Sequence, residues 1–358
     1  MVYSESQIDR YQYTINVQIY DMKKYISLIF LALGLAASAQ GAYDFRLAPT
    51  TVSQPVKSAI EQNVSNLFTA INAAAMTGGD INFTGIDLTQ DAKQSIVMTW
   101  ENVHFTTAQD QYVGQLLKEK NSNGSLRGLQ VRNQQVDMKP IDDTYEGPMA
   151  QEIVLDFTPT GRISDFNFAM ENTQYLTLLR DGARLGDAAN RMQIINWCEK
   201  LRNAYCQKDI RMLDDLFSDD ALIITGRVVT ERRRSDIALA NPTRVEYVKQ
   251  NKQQYLSRLK IVFDRQNRGG YVNVKFDDYR VVRHASKPNY YGVTLRQQWH
   301  TKGYSDEGIV FLIWDFNDED HPKIHVRTWQ PLQDTAFTMG DFKLPDPAEK
   351  ASFTLDRN

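Results

Sequence analysis

Two cysteines in 358 residues leave no material for a disulfide framework. Cys198 and Cys206 fall on one expected helix, where their spacing separates them by about 12 Å along the axis. A disulfide needs α-carbons within about 7 Å, so both are expected as free thiols that pack as small apolar side chains. Basic surplus is also missing, with 41 basic residues against 44 acidic ones. That balance argues against nucleic acid as a main partner, because phosphate binding needs a basic excess on one face. Histidine is scarce, at five residues. His300, His321 and His325 lack the tight spacing of a zinc site, so no metal is expected. The sequence has no phosphate-cradling glycine loop, nucleophile elbow or Cys/His pair of useful spacing. No cofactor is expected, and no residue is assigned as catalytic.

No apolar run reaches the roughly 20 residues that a membrane span requires. Met22–Gln40, MKKYISLIFLALGLAASAQ, comes closest. It has a basic start at Lys23 and Lys24, a short apolar core, and a small-residue cleavage pattern at Ala37–Ala39, the layout of a secretory signal peptide. The reading is an exported chain, periplasmic or associated with the cell envelope, with no transmembrane span once mature. Residues 1–21 read as a doubtful upstream extension, with Met22 the expected start. Residues 41–53 read as a linker, 54–180 as an N-terminal α+β domain, 187–332 as a second domain, and 333–358 as a C-terminal tail.

The second domain organises the rest. In Asp187–Gly226, Ile194, Cys198, Leu201 and Tyr205 recur at three- and four-residue steps, one stripe of a helix. Asp209 suits the N-cap of a second short helix, because its carboxylate can accept unpaired amides of the first turn. Ser218-Asp219-Asp220 is expected to interrupt, and Ala221–Thr225 to form a strand, with a polar loop from Gly226 to Asn241. Pro242 suits the start of a further helix whose buried side would be Val245, Val248, Tyr255, Leu259 and Val262. Strands are expected near 271–284, 291–302, 309–316 and 323–330.

In the first half, Gln54–Met76 reads as a helix stopped by Gly78-Gly79. The stretch from Thr89 to Val103 fits either a helix or an alternating strand. Residues 152–157 and 162–170 read as a hairpin. EIVLDFTPTGRISDFNF (152–168) and IVFLIWDFNDEDHPKIHVRTW (309–329) share a strand, an Asp-Phe, a turn and an alternating strand. They fit either a repeat of related α+β units or two ordinary hairpins.

Helix, helix, LFSDDALIITG, helix and antiparallel strands, closed by IHVRTWQP (324–331), is similar to the nuclear transport factor 2-like (cystatin-like α+β) superfamily. IHVRTWQP resembles the last strand of a group of secreted bacterial proteins of unassigned role. The resemblance covers about 187–332. It implies a C-terminal cone, in which a curved antiparallel sheet wraps helices around a cavity, preceded by an α+β domain that is a candidate relative. It also implies a homodimer or a dimer-like contact between the two units. It does not fix an activity, since the superfamily contains isomerases, dehydratases and non-enzymatic binders.

Alternate residues of a strand face opposite sides. By that rule His325, Arg327 and Trp329 share one face of the last strand. Thr294, Arg296, Gln298 and His300 share one face of an earlier strand, with Trp299 opposite. Trp314 lies mid-strand between them. If those faces point inward, Arg296, Arg327 and a histidine would hold an anionic or carbonyl group between aromatic walls. If they point outward, they form a solvated sheet face. The candidate ligand-binding residues are Tyr205, Arg296, His300, Trp314, His325, Arg327 and Trp329. The expected function is an exported, non-catalytic binding or scaffold protein for an unknown small molecule or protein partner. The alternative is an isomerase or dehydratase with an acid–base residue in the cone. Asp219-Asp220 offers carboxylates for that alternative, although Asp before a strand more often serves a turn.

Overall fold

The structure is a computed structural model, and it describes residues 42–120, 124–230, 243–267, 269–284 and 286–332. The expected leader, the upstream residues, Pro242 and the C-terminal tail lie outside the described residues.

The first half opens with strand β1 (Asp44–Leu47) and helix α1 (Gln54–Thr77). Helix α1 buries Ile60, Val64, Leu67, Phe68 and Ile71, an apolar stripe at helical spacing. Gly78 ends it in the left-handed region at φ 67°, where its amide reaches the Ala74 carbonyl, a conformation that favours glycine. Thr89 resolves the helix-or-strand choice. Its hydroxyl accepts from the Ala92 amide, capping α2 (Gln90–Asn102). Strands β2 (His104–Thr107), β3 (Gln111–Gly114), β4 (Leu116–Lys120) and β5 (Leu126–Lys139) follow. The expected hairpin is β6 (Ala150–Phe157) with β7 (Ile163–Phe168), which pair antiparallel. The five-stranded sheet runs β2-β5-β6-β7 with β4 on β5, and β1 pairs with β3 separately.

Helix α3 (Asn172–Leu185) leads to α4 (Ala188–Cys206) and the short α5 (Ile210–Leu216), whose first turn Asp209 caps at the Met212 amide. Strand β8 (Phe217–Thr230), strand β9 (Thr243–Gln250) and helix α6 (Lys252–Gln266) come next. Two expectations are corrected here. The sequence predicts a polar loop from Gly226, yet β8 continues through Thr230, because residues 223–230 pair in register with β9. Val245 and Val248 lie on that strand and not on the following helix. β-branched residues suit a pleated surface, and Val245 sits opposite Val228. The helix starts seven residues later than Val245, at Lys252, where Asn251 and Gln254 form a reciprocal capping box.

Strands β10 (Val272–Arg283), β11 (Tyr290–Thr301), β12 (Tyr304–Asp315) and β13 (Lys323–Pro331) complete a six-stranded sheet in the order β10-β11-β12-β13-β8-β9. All neighbours are antiparallel except β13 with β8. Irregularities at Asp277/Arg280, Ile313/Trp314 and Ile324/Val326 add bend and twist. The sheet curls as a half-barrel around its helices, an α+β cone. Its core joins Cys198, Tyr205 and Leu213 of the helices to Val293, Leu312 and Trp314 of the strands.

Helix α4 is buried on nearly every side, including Glu199, Arg202 and Asn203. The cause is its place between the two sheets. Cys198, Leu201 and Tyr205 enter the core of the second sheet. Glu199 pairs with Arg132 of β5, and Asn203 accepts from the Phe168 amide of β7. Both thiols are free and buried. The Cys206 sulfur accepts from the Val274 amide.

Candidate functional site

The six-stranded sheet has an inner face, against α4–α6, and an outer face. Val310, Leu312 and Trp314 of β12 and Ile324 of β13 belong to the inner core. Phe311, Ile313 and Val326 form a separate cluster on the outer face. Strand pairing then assigns each candidate residue. Arg327 sits opposite Leu312 and Ile223, and Trp329 opposite Val310, so both face inward. His325 does not share their face. It lies at an irregularity where Trp314 pairs with Ile324 and Ile313 with Val326. The extra residue reverses the alternation and turns His325 outward. Its ring nitrogens lie 3.2 Å from both Asp315 and Asp220.

On β11, Tyr291, Val293, Leu295 and Trp299 are inner residues, which leaves Arg296 and His300 outside. Arg296 is ion-paired to Glu307, with Asp277 and Asp278 nearby. His300 Nδ1 is 3.7 Å from Glu146 of the first half. The structure therefore brings Tyr205, Trp314, Arg327 and Trp329 to the inner side and leaves Arg296, His300 and His325 on the other. Trp314 is deepest, fully buried and packed on Phe316 with ring centroids 5.8 Å apart.

Around Arg327 the inner side is polar. Its Nη2 donates to Gln297 Oε1 at 3.1 Å, and its guanidinium lies over the Tyr255 ring at 5.3 Å. The Tyr205 and Tyr255 hydroxyls are 2.9 Å apart. Trp299 meets Tyr205 edge-on, with centroids 5.5 Å apart. Asp306 lies opposite Trp299 in the β11–β12 register, and its Oδ2 accepts from Tyr304 at 2.5 Å. Burial pushes the Asp306 carboxyl above its ordinary range. Burial likewise raises the Tyr255 phenol well above its usual value. Arg327 is only 4% exposed. Burial works against its charge, but Tyr255, Tyr205 and Asp306 outweigh that cost and hold it firmly protonated.

Among the described residues, no carboxylate lies within 4 Å of Arg327. A buried guanidinium normally has one, because an uncompensated charge in a dry site is costly. Other polar atoms nearby also lack partners. The Trp329 indole N–H and Asp306 Oδ1 are buried without a hydrogen bond. Trp329 lies across Gly308, the only residue type there that lets an indole settle on the strand. A Cβ at that position would meet Trp329 Cε2 at 2.6 Å.

Sequence reasoning missed Gln297, Tyr255 and Asp306. The signal for Gln297 and Asp306 was the face of Trp299. A large aromatic at 299 belongs in the core, which puts Gln297 inside and Arg296 outside. Tyr255 falls on a buried helix stripe, where a tyrosine reads as core and gives no sign of a site. Gly308, in the apolar run GIVFLIW, marks a close approach from a neighbour.

The acid–base reading of Asp219-Asp220 is not supported by geometry. Asp219 is exposed and bound to Lys252 at 2.9 Å, and this hydrogen bond holds its carboxyl below the usual range. A small separate cleft of about 40 Å³ lies between the two halves, lined in part by Glu119, Asp156, Asn196, Trp197 and Lys200. No group of three or more metal-binding side chains occurs among the described residues. None of the described helices is long and apolar enough to cross a membrane.

No protein-family model and no curated protein matches the chain. Among solved structures, it is similar to Bd1075 of Bdellovibrio bacteriovorus at 13% identity, covering 48% of this chain and 47% of that one, with a TM-score of 0.30. The chain thus spans about half the length of that protein. It is also similar to the helical cell shape determining protein Pgp2 of Campylobacter jejuni, at 17% identity over 39% of each chain, TM-score 0.26. An NTF-2 like protein of unknown function from Shewanella oneidensis matches at 12% identity over 38% of this chain and 95% of its own, TM-score 0.27. Likenesses this distant say nothing of activity.

Proposed function

We propose that this is an exported, non-catalytic binding protein of the cell envelope, whose cone receives an anionic group of a small ligand or partner protein at Arg327. The observation that carries the proposal is the buried guanidinium with no carboxylate within 4 Å among the described residues. Two aromatic rings, an indole N–H and a pair of tyrosine hydroxyls surround the same place. Convergent donors in an apolar frame are the composition of an anion-recognition site. The leader-like layout of Met22–Gln40 supports export.

The filled cone supports a binding role over an isomerase role. Trp314, Tyr205 and Leu312 occupy its depth and are fully buried. An isomerase of this architecture would need a carboxylate within an apolar cavity. Asp306 is half-buried, and its Oδ2 is engaged by the hydroxyl of Tyr304, a residue 58% exposed.

The test has two arms. Expressed with residues 22–40 in place, the chain should reach the periplasm with a new N-terminus after Ala39. Thermal-shift and calorimetric titration of that product with small carboxylates should give a response that Arg327→Met abolishes and Arg327→Lys weakens. A chain retained in the cytoplasm with its leader intact argues against export. A carboxylate response unchanged in Arg327→Met argues against the site.

A further inference from the structure

Two opposite charges approach each other over Gly308, on the inner face of the six-stranded sheet, and do not close. Gly308 lies opposite Gln297 of β11, and Gln297 Oε1 receives Arg327 Nη2 at 3.1 Å. The Trp329 indole rests across Gly308, its Nε1 2.7 Å from where a Cβ would stand. Asp306 follows on the same face of β12, opposite the inward Trp299, two residues and about 7 Å from Gly308. Asp306 is close enough to help hold Arg327 protonated. Yet its carboxylate does not pair with the guanidinium. Oδ2 is taken by the Tyr304 hydroxyl, and Oδ1 is buried with no hydrogen bond among the described residues. The Trp329 N–H is buried and unpaired as well. Unlike charges attract strongly where water is scarce, and buried donors and acceptors without partners are costly. The arrangement is that of two half-sites of opposite sign, one built from donors and one from an acceptor.

We infer that the ligand of this site is a small zwitterion, an α-amino acid, whose carboxylate is received by Arg327 and the Trp329 N–H and whose ammonium is received by Asp306 Oδ1. The inference rests on the anion-binding reading proposed above and adds the second charge to it. A plain carboxylate would satisfy the donors but leave Asp306 Oδ1 unpaired and facing another negative charge. A dicarboxylate would add to that repulsion. An amine alone would leave the buried guanidinium without a counter-charge, which is the costlier omission. A molecule with both charges on one carbon satisfies both half-sites and brings no net charge into the cone. An amino acid within a peptide has lost both charges, so the ligand is free or is joined to something larger through its side chain. Trp299 and Tyr255, whose rings flank Tyr205 and Arg327, give an apolar side chain a wall to pack on. The half-buried Trp329 indole has no side chain beneath it at Gly308. It can swing aside to admit the ligand and still turn its N–H to the bound carboxylate.

The experiment is calorimetric titration of the full chain with three matched probes: leucine in each enantiomer, 4-methylpentanoate, which lacks the amine, and 3-methylbutylamine, which lacks the carboxylate. One enantiomer of leucine should bind about tenfold or more tighter than either partial probe, the gain expected from a charge-assisted hydrogen bond to a buried carboxylate. Asp306→Asn should bring leucine down to the affinity of 4-methylpentanoate, and Arg327→Met should abolish the response to both. Equal affinity for leucine and 4-methylpentanoate, with both still lost in Arg327→Met, would overturn the zwitterion and leave the anion site standing. No response to any probe would overturn the inference together with the reading it rests on. A leucine preference that survives Asp306→Asn would overturn the role of Asp306. A second measurement needs only the natural chain once the Trp329 indole signal has been assigned with Trp329→Phe. In nitrogen-15 spectra that N–H should move downfield on addition of leucine, as an unpaired donor gains an acceptor. An unmoved signal at saturating leucine would overturn the placement of the carboxylate, even if Asp306→Asn fails to fold.

Discussion

The Arg132 guanidinium and the Glu199 carboxylate meet in a two-point ion pair at the seam between the sheets, each side chain 2% exposed. Glu199 also accepts from the Met170 amide at 2.5 Å, and the Tyr175 ring lies 4.1 Å from the guanidinium centre. One strand of the first sheet is thereby fastened to the helix that fills the second. Removing one partner leaves a buried charge unpaired, a loss of about 3–5 kcal/mol. Arg132→Met should therefore destabilise the protein by that amount in denaturant unfolding. Arg132→Met/Glu199→Leu should recover part of the loss, because no charge then remains to be desolvated. A single replacement costing under about 1 kcal/mol would mean that the seam opens to water.

The same seam gives a pH dependence. Asp156 is pushed up to about 7, first by burial and then by the Glu119 and Asp165 carboxylates. Glu119 is also raised, chiefly by burial. The groups facing them are Lys200, ion-paired to Asp165 at 3.0 Å, together with Arg127, Gln130 and Asn196. A carboxyl that holds its proton more tightly when folded favours the folded state at low pH. That advantage is lost as pH rises from the unfolded value near 4 through about 7. Asp156→Asn cannot ionise and should gain on the natural chain across this window. Its melting temperature relative to the natural chain should rise by a few degrees from pH 5 to pH 8. A difference that stays flat, or falls, would show that Asp156 ionises freely in the fold.

Much of the architecture was readable because it depends on local periodicity. The stripe Ile194, Cys198, Leu201, Tyr205 predicts α4, and all four residues are buried. Asp209 caps the helix it was expected to cap, and the last two strands pair side by side. Events set by distant partners were not readable. The irregularity at Ile324/Val326 that turns His325 away from Arg327 follows from pairing with β8 and β12. It leaves no mark at His325 in IHVRTWQP, where Ile324, His325 and Val326 read as an ordinary alternating strand. Val245 and Val248 suit a helix stripe or a strand equally well, and only pairing with β8 chooses. Arg327 meets Gln297 across the intervening β12, a register that neither segment specifies alone.

Gly308 offers a test of how the Arg327 neighbourhood is shaped. A Cβ there would meet Trp329 Cε2 at 2.6 Å and Nε1 at 2.7 Å, and it would also crowd the Gln330 carbonyl. Gly308→Ala should cost about 1–3 kcal/mol, the range for overpacking a well-filled site. The indole can move, but the carbonyl belongs to the β12–β13 ladder. Adding Trp329→Leu should therefore recover only part of the loss, as read by denaturant unfolding. Full recovery would assign the whole clash to the indole. No loss at all would mean that Trp329 does not rest on the strand.

The two thiols report on whether the halves open together. Cys198 and Cys206 both lie on α4, and burial pushes both thiols up, away from the reactive thiolate. The Cys206 sulfur is further engaged by the Val274 amide at 3.3 Å. Helix α4 also carries Glu199 and Asn203, which bind β5 and β7 of the other sheet. Exposing either sulfur therefore requires the helix to leave both cores. With an aromatic disulfide reagent at pH 8, neither thiol should react quickly in the folded chain, and both should react in guanidinium. At low denaturant both should label at one slow rate, with the denaturant dependence of global unfolding. Arg132→Met should raise both rates together by roughly a hundredfold or more, the factor its expected loss of stability implies. If one thiol labels fast while the other stays protected, then α4 frays locally and the two sheets are not held by a common helix.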